Sequence, residues 1–344
     1  MTAAARFALA ALCALFWLDA SGVESSGDDP LSFDDRPLDQ DIVLPEWFKL
    51  SFLELHDDLR EAAQAGKRGL IIYFGQKDCP YCKAHLEKNW ARPDVVAYTR
   101  EFFDVVAVDV KGGRLVTDLD GSVRSEKEYA IHHRTHFTPS FLFIDRDGEV
   151  AFRLSGYHPP YEFRAALEFV ADEHYRAEGF REYLARAEPA LRMDDETLNA
   201  EPFFGAPPHA LDRSRFPAGQ PLAVFFERPQ CHACDVLHGG PLRTPQIVEA
   251  LRGFEVVQLD MESDTPVLLP TGERGTAGAW AQSLGLFYAP TIVFFDERGG
   301  EIIRVDSLVQ FYRLRGVLRY VAEGGYREYD SYQQWRQAGR PAVP

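Results

Sequence analysis

Short apolar runs alternate along this chain with longer stretches that have helical periodicity. In the first half the apolar runs predict strands, because each is bounded by turn residues and rich in β-branched or aromatic side chains. The predicted strands are 70–74, 104–110, 141–145 and 149–154, and the predicted helices are 47–66, one beginning at the cysteine pair, 93–103, 125–133 and 160–173. This order, β–α–β–α–β–β–α, indicates an α/β fold with a central mixed sheet flanked by helices on both faces.

The second half of the chain repeats the first. Cys231 follows Cys79 by 152 residues (231 − 79), and Pro290 follows Pro139 by 151 (290 − 139). The stretch YAPTIVFFDERGGEIIRV matches FTPSFLFIDRDGEVAFRL with the same spacing. Landmarks of several kinds that keep their spacing to within one residue indicate a duplicated domain. The predicted division is 46–187 for the first domain, 188–204 for a linker and 205–338 for the second domain.

The N-terminus has the pattern of an export signal. Arg6 precedes an apolar run over residues 7–18, and small residues follow at 20–22. Twelve apolar positions are too few to cross a bilayer, which needs about 20, but they suit a signal peptide. We therefore expect cleavage after residues 1–22, a periplasmic location and no stable membrane insertion of the mature chain. Residues 23–45 are rich in Asp, Ser and Pro and predict a flexible acidic leader.

Composition narrows the choice of partners and compartment. The chain has 37 Lys and Arg against 53 Asp and Glu, a net charge of −16. Such an acidic surface argues against nucleic acid and anionic membrane as partners. Loss of the signal peptide removes Cys13, and the four cysteines that remain form two C-x-x-C pairs, Cys79/Cys82 and Cys231/Cys234. The absence of an odd thiol suits an oxidising compartment.

Each cysteine pair stands where an apolar strand gives way to a helix. A helix N-terminus presents unpaired N–H groups and a partial positive charge, which stabilise a thiolate there and make it reactive. We therefore predict that Cys79 and Cys231 attack disulfides, and that Cys82 and Cys234 resolve the mixed disulfides. Four-cysteine zinc sites usually have their pairs about 15–20 residues apart, whereas 148 residues lie between these pairs (231 − 82 − 1). That spacing disfavours structural zinc.

A proline lies downstream of each pair at a matching distance. Thr138-Pro139 and Ala289-Pro290 precede apolar strands, 57 and 56 residues after the second cysteine (139 − 82 and 290 − 234). With these prolines, both halves resemble thioredoxin-fold domains. The resemblance implies that each proline is cis, lies against the C-x-x-C and offers backbone groups to an extended substrate. The substrate-binding residues then expected are Thr138, Pro139, Ala289, Pro290, Tyr81 and His232.

The chain also has a narrower resemblance to one group of thioredoxins, and it departs from the usual thioredoxin pattern at some positions. The stretches FERPQCHAC, TDLDG and YAPTIVFFDERG resemble exported SoxW-like periplasmic thioredoxins. Thioredoxins usually carry a buried acid six residues before the first cysteine, where this chain has Tyr73 and Phe225. That role is vacant unless Asp78 or Glu227 fills it from the loop. His232 either stabilises the neighbouring thiolate as a cation or is merely solvated.

Three histidines lie close together in the stretch HHRTH. We expect His132 and His133 to end a helix and His136 to lie in the proline loop, because the sequence offers no further ligand at metal spacing nearby. No cofactor and no metal is predicted. The predicted activity is that of a thiol–disulfide oxidoreductase, a reductase of protein or small-molecule disulfides that a redox partner recharges. The alternatives are a thiol-based copper or zinc carrier, and a client-binding module with one degenerate redox domain.

Overall fold

The computed structural model of the protein describes Asp29 and residues 31–187 and 197–339. The predicted signal peptide with Cys13, the first part of the predicted leader and residues 188–196 of the predicted linker lie outside the described residues. Among the described residues, no helix has the length and apolar character needed to cross a membrane.

The first half of the chain forms a mixed sheet with helices on both faces. Its strands are β1 (Gly69–Gly75), β2 (Phe103–Asp109), β3 (Leu115–Thr117), β4 (Val123–Ser125), β5 (Ser140–Asp145) and β6 (Val150–Ser155). Its helices are α1 (Leu55–Gln64), α2 (Pro80–Lys88), α3 (Pro93–Phe102), α4 (Glu126–His132), α5 (Pro160–Ala171) and α6 (Phe180–Ala187), with a 3₁₀ turn at His174–Arg176. The main sheet has the order β2-β1-β5-β6.

Strand β1 is the centre of this sheet. It pairs in parallel with β2, with Ile72 opposite Val106, and antiparallel with β5, with Ile72 opposite Leu142. Alternate β1 residues belong to two different apolar clusters, Ile71 to one and Ile72 to the other. A strand that is buried on both faces reads as a continuous apolar run, which is how the sequence predicts it.

The second half of the chain has the same architecture. Its strands are β7 (His209–Ala210), β8 (Leu222–Glu227), β9 (Glu255–Asp260), β10 (Pro266–Leu268), β11 (Arg274–Thr276), β12 (Thr291–Phe295) and β13 (Glu301–Val305). Its helices are α7 (His232–Gly239), α8 (Pro245–Leu251), α9 (Ala277–Ser283), α10 (Phe311–Ala322) and α11 (Tyr332–Ala338), with 3₁₀ turns at Pro241–Arg243 and Gly325–Arg327. The sheet order β13-β12-β8-β9 reproduces that of the first half. The predicted fold class, α/β with two tandem domains, is confirmed.

The segment before the first strand differs from the sequence prediction. The predicted helix over 47–66 begins only at Leu55, because Leu53 has a left-handed backbone (φ 65°) that a helix does not accommodate. The segment before Leu55 packs through aromatic side chains instead of forming a helix. The ring of Phe48 contacts the rings of both Tyr73 and Trp90.

The described part of the predicted leader is also packed rather than free. Leu31 and Asp35 are buried, and Phe33 lies edge-on against the rings of Tyr81 and Tyr157. The acidic composition predicts flexibility, but the apolar residues scattered among the acids pack against both domains.

The two domains meet through equivalent positions. Leu308 donates its backbone N–H to the carbonyl of Tyr157, and these two residues are 151 apart (308 − 157), the spacing of the repeat. Their neighbours Gly156 and Ser307 touch so closely that a Cβ on Gly156 would overlap the Ser307 hydroxyl. Equivalent residues that meet each other are the mark of a two-fold arrangement of related units. This contact brings α10 of the second domain over the first cysteine pair.

Candidate functional site: two dithiols at helix N-termini

The first cysteine pair begins helix α2. Cys79 is the N-cap residue, and its Sγ accepts a hydrogen bond of 2.9 Å from the backbone N–H of Cys82. Pro80 occupies the first helical turn, where a missing N–H costs nothing. The two cysteines form a disulfide with their Cα atoms 5.2 Å apart, and Cys79 is only 1% exposed. The predicted strand-to-helix placement of the pair is therefore observed.

The proline loop lies directly against Cys79. The Thr138 hydroxyl donates to Cys79 Sγ over 3.2 Å, and the Thr138 carbonyl oxygen lies 3.4 Å from the same sulfur. The Thr138–Pro139 peptide bond is cis. In the reduced protein a hydroxyl hydrogen bond of this kind favours the thiolate over the thiol.

The second cysteine pair has the same geometry with one group fewer. Cys231 is the N-cap of α7, and its Sγ accepts from the N–H of Cys234 at 3.1 Å. The pair forms a disulfide, and the carbonyl oxygen of Ala289 lies 3.4 Å from Cys231 Sγ, beside a cis bond to Pro290. Cys231 is 8% exposed. Ala289 stands where the first domain has Thr138, so Cys231 lacks the hydroxyl hydrogen bond that stabilises the Cys79 thiolate.

The two spacer residues expected to touch substrate have different surroundings. The Tyr81 hydroxyl donates to Asp35 Oδ2 and accepts from the N–H of Gln310, both at 2.8 Å, and the guanidinium of Arg313 lies 3.3 Å from its ring centre. Burial raises the pKa of Tyr81 well above its usual value of 10, so the hydroxyl stays a donor. Tyr81 thus joins the leader, α2 and α10, while its ring borders the cleft at Cys79.

His232 points the other way, into solvent. Its side chain is 66% exposed, and its Nε2 lies 3.1 Å from Asp29 Oδ2. Of the two interpretations of His232, the structure favours an exposed side chain with an acidic neighbour.

The two acids considered as substitutes for the buried carboxylate bind other groups. Asp78 forms an ion pair with Lys111, with Nζ 2.6 Å from Oδ1. Glu227 is fully buried and bonds to the imidazole of His238 at 3.0 Å and to the amide of Gln258 at 3.0 Å. His238 contacts Glu201 through its other ring nitrogen. Burial opposes its charge, but the two glutamates prevail and raise the pKa of His238.

The histidine cluster contains a neighbour that the sequence analysis missed. His132 ends α4 and His133 caps it, as predicted, but the TDLDG turn brings Asp118 to the same place, with ligand atoms of the three residues within 4.8 Å of one another. The expectation that no further ligand lies nearby is therefore wrong, because β3 and β4 fold this turn back onto α4. Two arginines stand beside the cluster, Arg124 3.8 Å from Asp118 and Arg153 3.4 Å from the His133 ring. Their charges oppose a bound cation.

Sequence reasoning also missed two residues at the first dithiol. Asp35 lies 44 residues before Cys79 (79 − 35), and its carboxylate accepts from the backbone N–H groups of Tyr312 and Arg313 at the start of α10. Arg313 in turn donates to the Thr138 carbonyl at 2.7 Å. Neither residue belongs to a motif, and both reach the site only through the packing of the leader and the second domain.

A comparison with protein families agrees with the two-domain architecture. The sequence model of the thioredoxin-like domain matches the chain twice, over residues 55–171 and 216–322. No curated protein matches the chain. A thioredoxin-fold protein from Helicobacter pylori is 24% identical, with a TM-score of 0.28 and a match covering 34% of this chain and 78% of that one. A thioredoxin from Thermus thermophilus is 23% identical, with a TM-score of 0.27 over 41% of this chain and 95% of that one. The C-terminal domain of DsbD from Neisseria meningitidis is 15% identical, with a TM-score of 0.24 over 30% of this chain and 83% of that one.

The family match covers both halves of the chain, and each matched half holds one C-x-x-C pair at a helix N-terminus beside its proline loop. A pair in this setting can pass between dithiol and disulfide by thiol–disulfide exchange. The protein therefore belongs to the thioredoxin-like family, as a thiol–disulfide oxidoreductase with two tandem domains.

Proposed function

We propose that the protein works as an exported reductase that transfers electrons from its two dithiols to disulfide substrates. The observation that carries the exchange chemistry, independent of its direction, is the placement of Cys79 and Cys231, each an N-cap whose sulfur accepts a backbone N–H and lies against the proline loop. An N-cap sulfur is the atom that the helix field stabilises most as a thiolate.

In the proposed reaction the outer thiolate, Cys79 or Cys231, attacks one sulfur of the substrate disulfide. The substrate S–S bond breaks, a mixed disulfide forms and the first substrate thiolate leaves. The inner cysteine, Cys82 or Cys234, then attacks the outer sulfur and releases the second substrate thiol. Two electrons and two protons pass to the substrate, and the protein is left with a closed disulfide. A dithiol donor, the predicted redox partner, must then reduce it.

One contact at the second pair supports reduction over oxidation as the direction. Strong oxidants of this fold owe their potential to a highly stabilised reduced form. His232, the residue that would stabilise the Cys231 thiolate as a cation, stands beside Asp29. That carboxylate offsets the support that His232 could give to the Cys231 thiolate, and a less stabilised thiolate makes the second dithiol a better electron donor.

Equilibrium titration in glutathione buffers tests the direction. The Cys79→Ser and Cys231→Ser variants separate the two pairs, and each remaining pair should titrate nearer −270 mV than −120 mV, the reducing end of a range of about 150 mV for this fold. Potentials near −120 mV would make the protein an oxidant and overturn the proposal. A pair that never equilibrates with glutathione would support the degenerate client-binding alternative for that domain.

Export is tested separately. We expect the full-length chain, expressed in a Gram-negative host, to be recovered from the periplasm with a mass that lacks residues 1–22. Recovery of an uncut chain from the cytoplasm would contradict export while leaving the redox chemistry unaffected.

A further inference from the structure

A cleft of about 370 Å³ opens beside Cys79. Its walls come from α10 and α11 of the second domain and from α2 and the proline loop of the first, so it exists only because the domains pack together. Its volume lies within the range of about 300–1,000 Å³ that is typical of small-molecule sites. Cys79 itself forms part of the lining, so a ligand in the cleft lies next to the reactive cysteine.

The cleft is positively charged in a strongly acidic protein. Four arginines line it, Arg313, Arg315, Arg319 and Arg336, together with the acids Asp35 and Glu323. Both acids are engaged: Asp35 accepts from the start of α10 and from Tyr81, and Glu323 pairs with Arg319 at 2.9 Å. Among the described residues, Arg315 and Arg336 form no salt bridge and stack on aromatic rings instead. The cleft therefore carries excess positive charge in a chain of net charge −16.

Arg313 lines the cleft and is anchored to the proline loop, because its Nη2 donates to the Thr138 carbonyl at 2.7 Å. An arginine stays protonated in proteins. This anchored side chain therefore places a fixed positive charge beside Cys79.

The same arginine disfavours a protein substrate at this site. In thioredoxin-like domains the backbone of the proline loop is expected to pair with an extended substrate segment, yet Arg313 occupies the Thr138 carbonyl and Cys79 is 1% exposed. A small molecule needs no such pairing. It can enter the cleft that Cys79 lines while the domains remain packed.

The second dithiol is a natural control within the molecule. By the repeat spacing, the residue of the first domain that is equivalent to Arg313 of the second is Glu162 (313 − 151). Glu162 lies within electrostatic reach of Tyr288, the residue before Ala289 in the second proline loop. Glu162 also pairs with His158 at 2.9 Å. The guanidinium at the first site therefore has no counterpart at this position, so an attraction for anions should be stronger at Cys79.

From the cleft, its excess positive charge and the Arg313 guanidinium anchored beside Cys79, we infer that the first dithiol reduces small disulfides that carry carboxylates. This inference rests on the proposed function. The Cys79 thiolate attacks the substrate, whose carboxylates lie against the arginines; the S–S bond breaks and one thiolate leaves. Cys82 then closes the ring with Cys79 and releases the second thiol, so that one dithiol and one disulfide give one disulfide and two thiols.

A charge series of similar size tests the inference. The protein is reduced beforehand, the second pair is blocked by Cys231→Ser with Cys234→Ser, and single-turnover rates are measured with dithiodipropionate (dianionic), bis(2-hydroxyethyl) disulfide (neutral) and cystamine (dicationic). Each rate is divided by that of free dithiothreitol with the same probe. The corrected rate should be about tenfold or more higher for the dianion than for the neutral probe, lowest for cystamine, and the preference should shrink with salt.

Matched variants locate the effect. Arg336→Gln should lower the dianion-to-neutral ratio several-fold, whereas Arg252→Gln, which removes an exposed arginine just after α8, should leave the ratio unchanged. The protein with only the second pair, made by Cys79→Ser with Cys82→Ser, should show a smaller preference for the dianion. Equal corrected rates for the three probes at the first site, or a faster reaction with an acidic peptide disulfide than with dithiodipropionate, would overturn the inference and leave the reductase standing. Failure of every probe at both sites would defeat the proposed function as well.

Discussion

The domain contact at Gly156 offers a test of the arrangement that covers Cys79. Gly156 has φ +84°, and a Cβ built there would overlap Ser307 Oγ and lie 2.5 Å from Ser307 Cβ. Ser307 is fully buried and on the other domain, so it has no room to withdraw. We expect Gly156→Ala to destabilise the contact between the domains, because a packed surface tolerates little added volume.

A second glycine separates the backbone effect from the contact. Gly148 has the same φ of +84°, but a Cβ there would meet only Leu119 and Leu59 at 3.7 Å. Each alanine pays about 1–2 kcal/mol for the left-handed backbone. Only Gly156→Ala adds an overpacking term, about 1–3 kcal/mol in a well-packed interior. The difference between the two losses therefore measures the domain contact.

Two measurements follow this difference. The free energy of unfolding of the oxidised protein should fall by about 1–3 kcal/mol more for Gly156→Ala than for Gly148→Ala, and reduced Cys79 should be alkylated faster only in Gly156→Ala, because α10 no longer holds its place over the sulfur. Ser307→Gly in the Gly156→Ala background should recover most of the excess loss. Equal losses for the two alanines, with equal alkylation rates, would refute the closed arrangement of the domains.

Three further predictions concern single contacts. Thr138→Val removes the hydroxyl donor at 3.2 Å from Cys79 Sγ. It should slow alkylation of reduced Cys79 at pH 7 about tenfold, since a hydrogen bond to a charged group is worth about 1.5–3 kcal/mol. Thr138→Ser should restore the rate, and an unchanged rate in the valine variant would contradict the role of the hydroxyl. Asp35→Ala removes the carboxylate at the start of α10 and should cost about 0.5–2 kcal/mol of stability and expose the leader to proteolysis, whereas a leader as resistant as in the wild type would show that it is held elsewhere. His238 has a raised pKa in the folded protein, so its stabilisation is complete below its unfolded pKa of about 6.5 and is lost as the pH rises through the folded value; hydrogen exchange should show the second domain opening more readily at pH 8 than at pH 6, and His238→Gln should remove that difference.

Much of the fold can be predicted from the sequence because the signals are local. The apolar run at 70–74 becomes the doubly buried strand β1, and the cysteine pair after it starts α2, as the change in periodicity indicates. The repeat spacing predicts the second copy, because β8 and α7 present the same succession of signals. The outer cysteines and their proline loops come together because the topology of the sheet places them at one edge.

The residues around the first dithiol could not be predicted in the same way. Asp35 lies in a stretch whose composition suggests flexibility, and its role depends on the start of α10, 276 residues further along (311 − 35). Arg313 lies on an ordinary amphipathic helix, and only the close approach of Gly156 to Ser307 brings it over Tyr81. Contacts between domains carry no periodicity and no motif, so they are visible only once the chain is folded.

The most direct measurement traps the reaction half-way at both sites. In reduced Cys82→Ser and Cys234→Ser variants the outer cysteine can attack a disulfide but cannot be resolved, so intact mass after brief exposure to oxidised glutathione should show a mixed disulfide on Cys79 in the first variant and on Cys231 in the second. Both adducts should form faster than the adduct of an ordinary surface thiol at the same pH. No adduct at either cysteine, or adducts no faster than that of a surface thiol, would contradict the conclusion that these helix N-termini hold reactive dithiols.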